Sequence, residues 1–215
     1  RQCLNQLLQW QVALAASGSL AASSLALAQS AWPSKALKLV VPFTPGGTTD
    51  YVTRLVGIEL AKALGQAVVV ENKPGAGTVI GVDAVAKSVA DGYSFVTVAN
   101  SFAANQTLVK KLPYDTLKDL APIGMVASSQ HVLVTGANVP AKTVAELIAL
   151  ARREPGKLNF VSSGNGSGSH LVGELFKIAT STDMAHIAYK GGAQALTDLV
   201  GGRVQMMFSP IPAVM

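Results

Sequence analysis

The chain has 215 residues, with 17 Lys and Arg against 12 Asp and Glu, giving a formal net charge of +5 at pH 7. Hydrophobic residues make up 49% and charged ones 13%, which excludes a disordered chain, and the length admits one large or two small domains with a real core. The cations lie singly or in pairs such as Lys110-Lys111, with no basic stripe interleaved with aromatics, so no nucleic-acid partner is expected.

Taken in chain order, the first feature is the uncharged run from Val12 to Ala28. It ends in the small-residue pattern Ala26-x-Ala28, and residues 1–28 are predicted to be a secretory signal peptide. Cys3 is the sole cysteine and falls inside that leader, so the mature protein is expected to have no disulfide, thiolate–zinc site or Cys nucleophile. Strand-like and helix-like stretches then alternate. Ala36–Phe43 reads as a buried strand, and Thr48, Thr49 or Asp50 caps a helix ending at Gly65. Ala67–Glu71 is a second strand. Gly75-Ala76-Gly77 opens a helix from Thr78 to about Ala90, and Tyr93–Ala99 is a third strand. Alternation of this kind implies a parallel sheet.

From Asn100 to Pro122 the pattern loosens, after which Ile123–Ser129 and His131–Thr135 read as strands. A helix starts near Pro140, with Thr143 as N-cap and Glu146 completing a capping box, and runs to Arg153. Leu158–Val161 is a strand, Ser162–Ser169 a Gly/Ser loop, and a helix follows to about Ala179. Met184–Ala188, Gly192–Val200 and Arg203–Phe208 read as strand, helix and strand. The organisation predicted is a first α/β domain over residues 29–124 and a second over 125–215. A strand followed directly by Ser209–Met215 leads us to expect that the chain is truncated there.

Ligands of open α/β sheets bind beyond the carboxyl ends of strands, at helix N-termini. Two donor-rich clusters occupy such junctions: Thr44-Pro45-Gly46-Gly47-Thr48-Thr49-Asp50, and Ser162 to His170, the second without a fixed charge. Both suit a small anion held by N–H groups and hydroxyls. Lys190, beside Gly191-Gly192, can add a cation, and Asn100-Ser101 follows the third strand. Enzyme templates fit poorly. No nucleophile elbow or Walker loop is present, the third glycine of a dinucleotide fingerprint is replaced by Ser169, and His131, His170 and His186 lack metal-ligand spacing. No cofactor, metal or catalytic residue is therefore expected. The competing enzymatic reading is a secreted serine hydrolase using Ser167 or Ser169 with His170.

Five segments together resemble one known family: KLVVPFTPGGTTDYVTRLV (Lys38–Val56), VVVENKPGAGTVIGVDAVAKS (Val68–Ser88), LPYDTLKDLAPI (Leu112–Ile123), SSGNGSGSHLVGELFK (Ser162–Lys177) and YKGGAQALTDLVGGRVQMMF (Tyr189–Phe208). The sequence resembles the Bug-type receptors, the extracytoplasmic solute receptors of tripartite tricarboxylate transporters. The resemblance implies a periplasmic-binding-protein-like α/β fold of type II, in which two α/β domains close over a small carboxylate. It implies a periplasmic location, with that carboxylate and membrane permease subunits as partners of a monomeric receptor. A sensory protein signalling through a membrane partner would use the same fold. The family's ligand loops map here onto Thr44, Gly47, Thr48 and Asp50, and onto Ser162, Ser163, Gly164, Asn165, Gly166, Ser167 and His170. The sequence departs from the family's usual residues at Thr44, Ala188 and Ser209-Pro210. Family members also continue past the point where this chain stops, so a return to the first domain is expected to be missing.

Overall fold

Strand β1 (Leu37–Val41) forms where an apolar run of β-branched residues and Leu follows Ser34-Lys35, and every residue of it except Lys38 is buried. The computed structural model describes residues 32–215, so the predicted leader and Cys3 lie outside the described residues. β1 pairs in parallel with β2 (Val68–Asn72) on one side and β3 (Ser94–Val96) on the other, in the order β2-β1-β3. The helix between β1 and β2 is α1 (Thr48–Leu64), which stops on Gly65 at φ 65°, where the Gly65 N–H caps the Ala61 carbonyl at 3.0 Å. Gly57 brings this helix close to the sheet, since a Cβ there would already touch Leu39, Val68 and Val70 at 3.4–3.5 Å. A single 3₁₀ turn (Ala76–Thr78) then leads into α2 (Val79–Ala86), which buries Val82 and Val85.

The second sheet has the order β4-β7-β5-β6, built from β4 (His131–Thr135), β5 (Asn159–Ser162), β6 (Ala185–Ala188) and β7 (Met206–Pro210). Its neighbours β5, β6 and β7 are parallel, whereas β4 runs antiparallel to β7 along the edge, a common arrangement in otherwise parallel sheets. Adjacent strand residues point to opposite faces. Phe160 and Met206 accordingly join Leu147, Leu150 and Ala151 of α4 (Val144–Arg153), with Val172 and Phe176 of α5 (Gly168–Thr180) packed against them. Val161 and Met207 join Ala195 and Leu199 of α6 (Gly192–Val200). Lys35–Met215 form one compact unit.

Three sequence expectations fail. The loosened stretch contains α3 (Asn100–Leu108), whose buried side chains are the polar Ser101 and Asn105. Ile123–Ser129 is exposed and has no ladder partner, so it is not a strand: a short apolar run resembles one in composition, but a strand exists only when another backbone pairs with it. Thr48, Thr49 and Asp50 also do not cap α1; Gly47 occupies that position without a side-chain hydrogen bond. Thr143 does cap α4, its hydroxyl accepting the Glu146 N–H at 3.2 Å.

Candidate functional site

The ends of β1, β2, β5 and β6 converge on a cavity of about 160 Å³, walled by Pro42-Phe43, Gly75–Thr78, Ser163–Asn165 and Ala188–Lys190. Lys190 is its one charged wall residue. A larger depression of about 510 Å³ lies along Gln106–Asp119 and is wide open to solvent. Its Asp115 and Asp119 carboxylates accept the N–H groups of Leu117, Lys118 and Asp115, so they serve the turn that carries them.

The loop after β1 is fixed from below by Asp50, which is 4% exposed. Its carboxylate accepts the Gly46 N–H at 3.0 Å, Asn72 Nδ2 at 2.8 Å and Arg54 Nε at 3.1 Å, and Asn72 also donates to the Phe43 carbonyl at 3.1 Å. Burial pushes the Asp50 pKa upward, but the hydrogen bonds from Arg54, Gly46 and Asn72 outweigh it and hold the group below its ordinary value. Asp50 is thus saturated by the loop it supports together with Arg54 of α1 and Asn72 of β2. Above it, Thr44 Oγ1 and Thr48 Oγ1 are shielded from solvent and have no hydrogen-bond partner among the described residues. The Thr44 N–H reaches the Lys190 carbonyl at 3.3 Å. A Cβ on Gly191 would lie 1.9 Å from Thr44 Oγ1, so the two loops touch through backbone.

The Gly/Ser loop uses most of its donors internally. Ser163 N–H goes to Ser169 Oγ (3.3 Å), Gly164 N–H to Ser162 Oγ (3.1 Å) and Gly166 N–H to His170 Nδ1 (3.1 Å). Ser167 N–H goes to the Gly164 carbonyl (3.1 Å), and His170 N–H to the Ser167 hydroxyl (3.3 Å), which caps α5. Gly164 and Gly166 sit at φ 131° and 74°, conformations open to glycine and strained for other residues. Of the predicted residues, Ser163, Gly164 and Asn165 face the cavity, while Ser162, Gly166, Ser167 and His170 stand behind it as its frame. Asn165 is exposed and its side chain makes no hydrogen bond among the described residues.

The pairing required by the competing hydrolase reading does not form: His170 Nδ1 is taken by a backbone N–H, and the Ser167 and Ser169 hydroxyls bond each other at 3.3 Å. A Ser–His contact does exist between Ser162 Oγ and His186 Nε2, at 2.7 Å. Ser162 is 0% exposed and its hydroxyl also holds Gly164, so it cannot reach a substrate. Burial and the neighbouring His170 lower the His186 pKa to about 4, keeping that ring neutral. Among the described residues no group of three or more His, Cys, Asp or Glu is placed to hold a metal ion.

Sequence reasoning missed the turn Gly75–Thr78. Ala76, Gly77 and Thr78 have φ of 47°, 60° and 82°, a left-handed run that is costly for a β-branched residue. Asn105 from α3 holds it, donating to the Gly77 carbonyl at 2.8 Å, while Thr78 Oγ1 meets Ser101 Oγ at 3.1 Å. The signal was present as Gly75-Ala76-Gly77 between a strand and a helix.

The family described as "Tripartite tricarboxylate transporter family receptor" (TctC) matches residues 52–215. The chain belongs to this receptor family. It is 40% identical over 186 residues to protein BugT of Bordetella pertussis, covering 86% of this chain and 57% of that protein. The R. palustris protein Rpa4515, solved with adipate, superposes with a TM-score of 0.82 at 38% identity, over 85% of this chain and 61% of that one. MatC from Rhodopseudomonas palustris, solved with bound malate, gives a TM-score of 0.79 at 31% identity, over 85% and 63%. The TctC receptor fold is therefore the fold of this α/β chain, which spans less than two thirds of the length of these relatives.

Proposed function

We propose that this chain is the ligand-binding part of a periplasmic receptor that captures a small organic carboxylate and delivers it to a tripartite tricarboxylate-type permease without catalysing a reaction. The observation that carries the reading is the cavity between the two sheets, walled by strand-end loops, with one cation and uncharged donors. In this proposal residues 29–124 and 125–215 are two domains, and residues 1–28 direct export. Thr44 and Thr48, on the loop that follows the wall residues Pro42-Phe43 and not themselves in the wall, offer their hydroxyls to a carboxylate, which offsets the roughly 1–3 kcal/mol that a shielded, unbonded hydroxyl costs. The helix N-termini behind both loops add a favourable field for an anion. Asn165 and Lys190 contact the rest of the ligand, while Gly47 and Gly164 let the backbone approach it. Asp50, Ser162, Ser163, Gly166, Ser167 and His170 hold these groups in place. Adipate and malate in the related structures suggest linear dicarboxylates of four to six carbons as the first ligands to try.

Calorimetric titration of the protein with succinate, malate, glutarate and adipate, and with adipamide as the uncharged control, tests the proposal. The expected result is a dicarboxylate binding below about 1 mM, near 4 kcal/mol, and no heat from the diamide. Equal binding of acid and diamide, or no binding at all, would reject it.

A further inference from the structure

The two histidines behind the cavity form a unit that carboxylate recognition does not explain. The rings of His170 and His186 stack with centroids 4.1 Å apart and an interplanar angle of 25°, and Phe160 closes the far side of His186 at 4.8 Å. Each imidazole governs one glycine of the Gly/Ser loop. His170 Nδ1 accepts the Gly166 N–H directly at 3.1 Å. His186 Nε2 contacts Ser162 Oγ at 2.7 Å, and that oxygen accepts the Gly164 N–H at 3.1 Å. Gly164 and Gly166 flank Asn165, the residue facing the cavity, and both have positive φ. Such a turn has little intrinsic preference for one shape, because glycine populates both signs of φ with similar ease.

We propose that His170 and His186 are a paired positioning device that sets the conformation of the Asn165 turn and thereby the affinity of the cavity for its ligand. The inference rests on the receptor reading for its effect on affinity, but the conformational part stands independently. Stacking locks the two rings as one block, so Gly164 and Gly166 are held at a fixed separation. Phe160 ties that block to the core: it is 0% exposed and belongs to the cluster under α4 and α5. His186 sits on β6 and His170 on α5, so the block also couples the turn to two separate elements.

Amide hydrogen exchange by NMR, paired with calorimetry against the dicarboxylate panel, tests this. His186→Phe keeps a stacking ring and removes the contact to Ser162; His170→Phe does the same for Gly166. The expectation is at least tenfold faster exchange at Gly164 in H186F and at Gly166 in H170F, with at least tenfold weaker dicarboxylate binding in each. Ser162→Ala should reproduce the Gly164 effect and should not add to H186F in the double variant, and it serves as the second variant where a Phe substitution fails to fold. Wild-type exchange at Gly164 and Gly166 in these variants, or unchanged affinity, would overturn the proposal. If the unaltered protein binds no carboxylate, the receptor reading fails while the exchange rates still decide whether the histidines fix the turn.

Discussion

Substituting Gly173 by Ala tests the packing that seats the Gly/Ser loop. A Cβ on Gly173 would lie 2.2, 2.5 and 2.9 Å from three carbons of the Phe160 ring, whereas carbon atoms pack comfortably at about 3.5–4.0 Å. Relief needs a movement of more than about 1 Å by the ring or by α5. The ring cannot yield easily, because it is fully buried among Leu147, Leu158, Met184 and Met206 and stacked on His186. Overpacking of this kind costs about 1–3 kcal/mol, and the severity of the clash places it at the upper end. Alanine's better helix propensity returns about 1 kcal/mol, leaving a net loss of about 2 kcal/mol. For a chain of this size that lowers Tm by about 6 °C and shifts the urea midpoint without changing the slope. Phe160→Leu, destabilising alone, should recover part of the loss in the G173A background, with a coupling of about 1 kcal/mol. An unchanged or higher Tm in G173A, or strict additivity with Phe160→Leu, would refute the packing argument.

Three further outcomes follow from the geometry. Asp50→Asn keeps the shape but weakens the contacts to Gly46 and Arg54, and should cost about 2 kcal/mol in urea melts at pH 7. Because the folded-state pKa of Asp50 is lowered, its contribution is complete above the unfolded carboxylate range and is lost as pH falls through the folded value, so the variant's acid limb should be flatter. For His186, depressed from 6.5 to about 4, the unfolded state takes up the proton first. Stability should therefore fall as pH drops from 6.5 toward 4, by on the order of 2 kcal/mol after allowing for screening of a half-buried ring, and His186→Gln should lack that component. Gly191 lies at φ 172°, which any residue adopts, so Gly191→Ala adds a pure contact of 1.9 Å to Thr44 Oγ1 and 3.0 Å to Thr44 N. Dicarboxylate affinity should drop at least tenfold while Tm moves by less than about 3 °C, and a normal Kd would argue against contact between the two loops.

Much of the architecture was readable because burial here follows apolar periodicity. β1 and α4 match their patterns, and Gly65 and Thr143 punctuate helices as their chemistry dictates, whereas α1 keeps its predicted span but buries Asp50, Thr53 and Gly57 rather than its apolar positions. α3 escaped because its inward residues, Ser101 and Asn105, are polar and are buried by hydrogen bonding to the Thr78 turn. Ile123–Ser129 misled for the converse reason: it has a strand-like apolar run and no neighbour. At the site, both donor-rich junctions were visible as composition. Which donors face the cavity was not, since it depends on His186, 24 residues from Ser162, and on Asn105, 28 residues from Gly77.

The glycines where the two sheets' loops meet set the mechanical character of that seam. Gly77 faces the Asn165 carbonyl, Gly166 faces Ala104 and Leu108, and Gly191 faces Thr44, where an added Cβ would stand 3.2, 3.1 and 1.9 Å from its nearest neighbour. At these three points one of the two surfaces presents backbone alone, so no side chain from the glycine side interlocks with its neighbour. Residues of graded volume introduced at these positions would act as wedges of graded thickness. Such a series provides a ruler for how far the loops stand apart in solution.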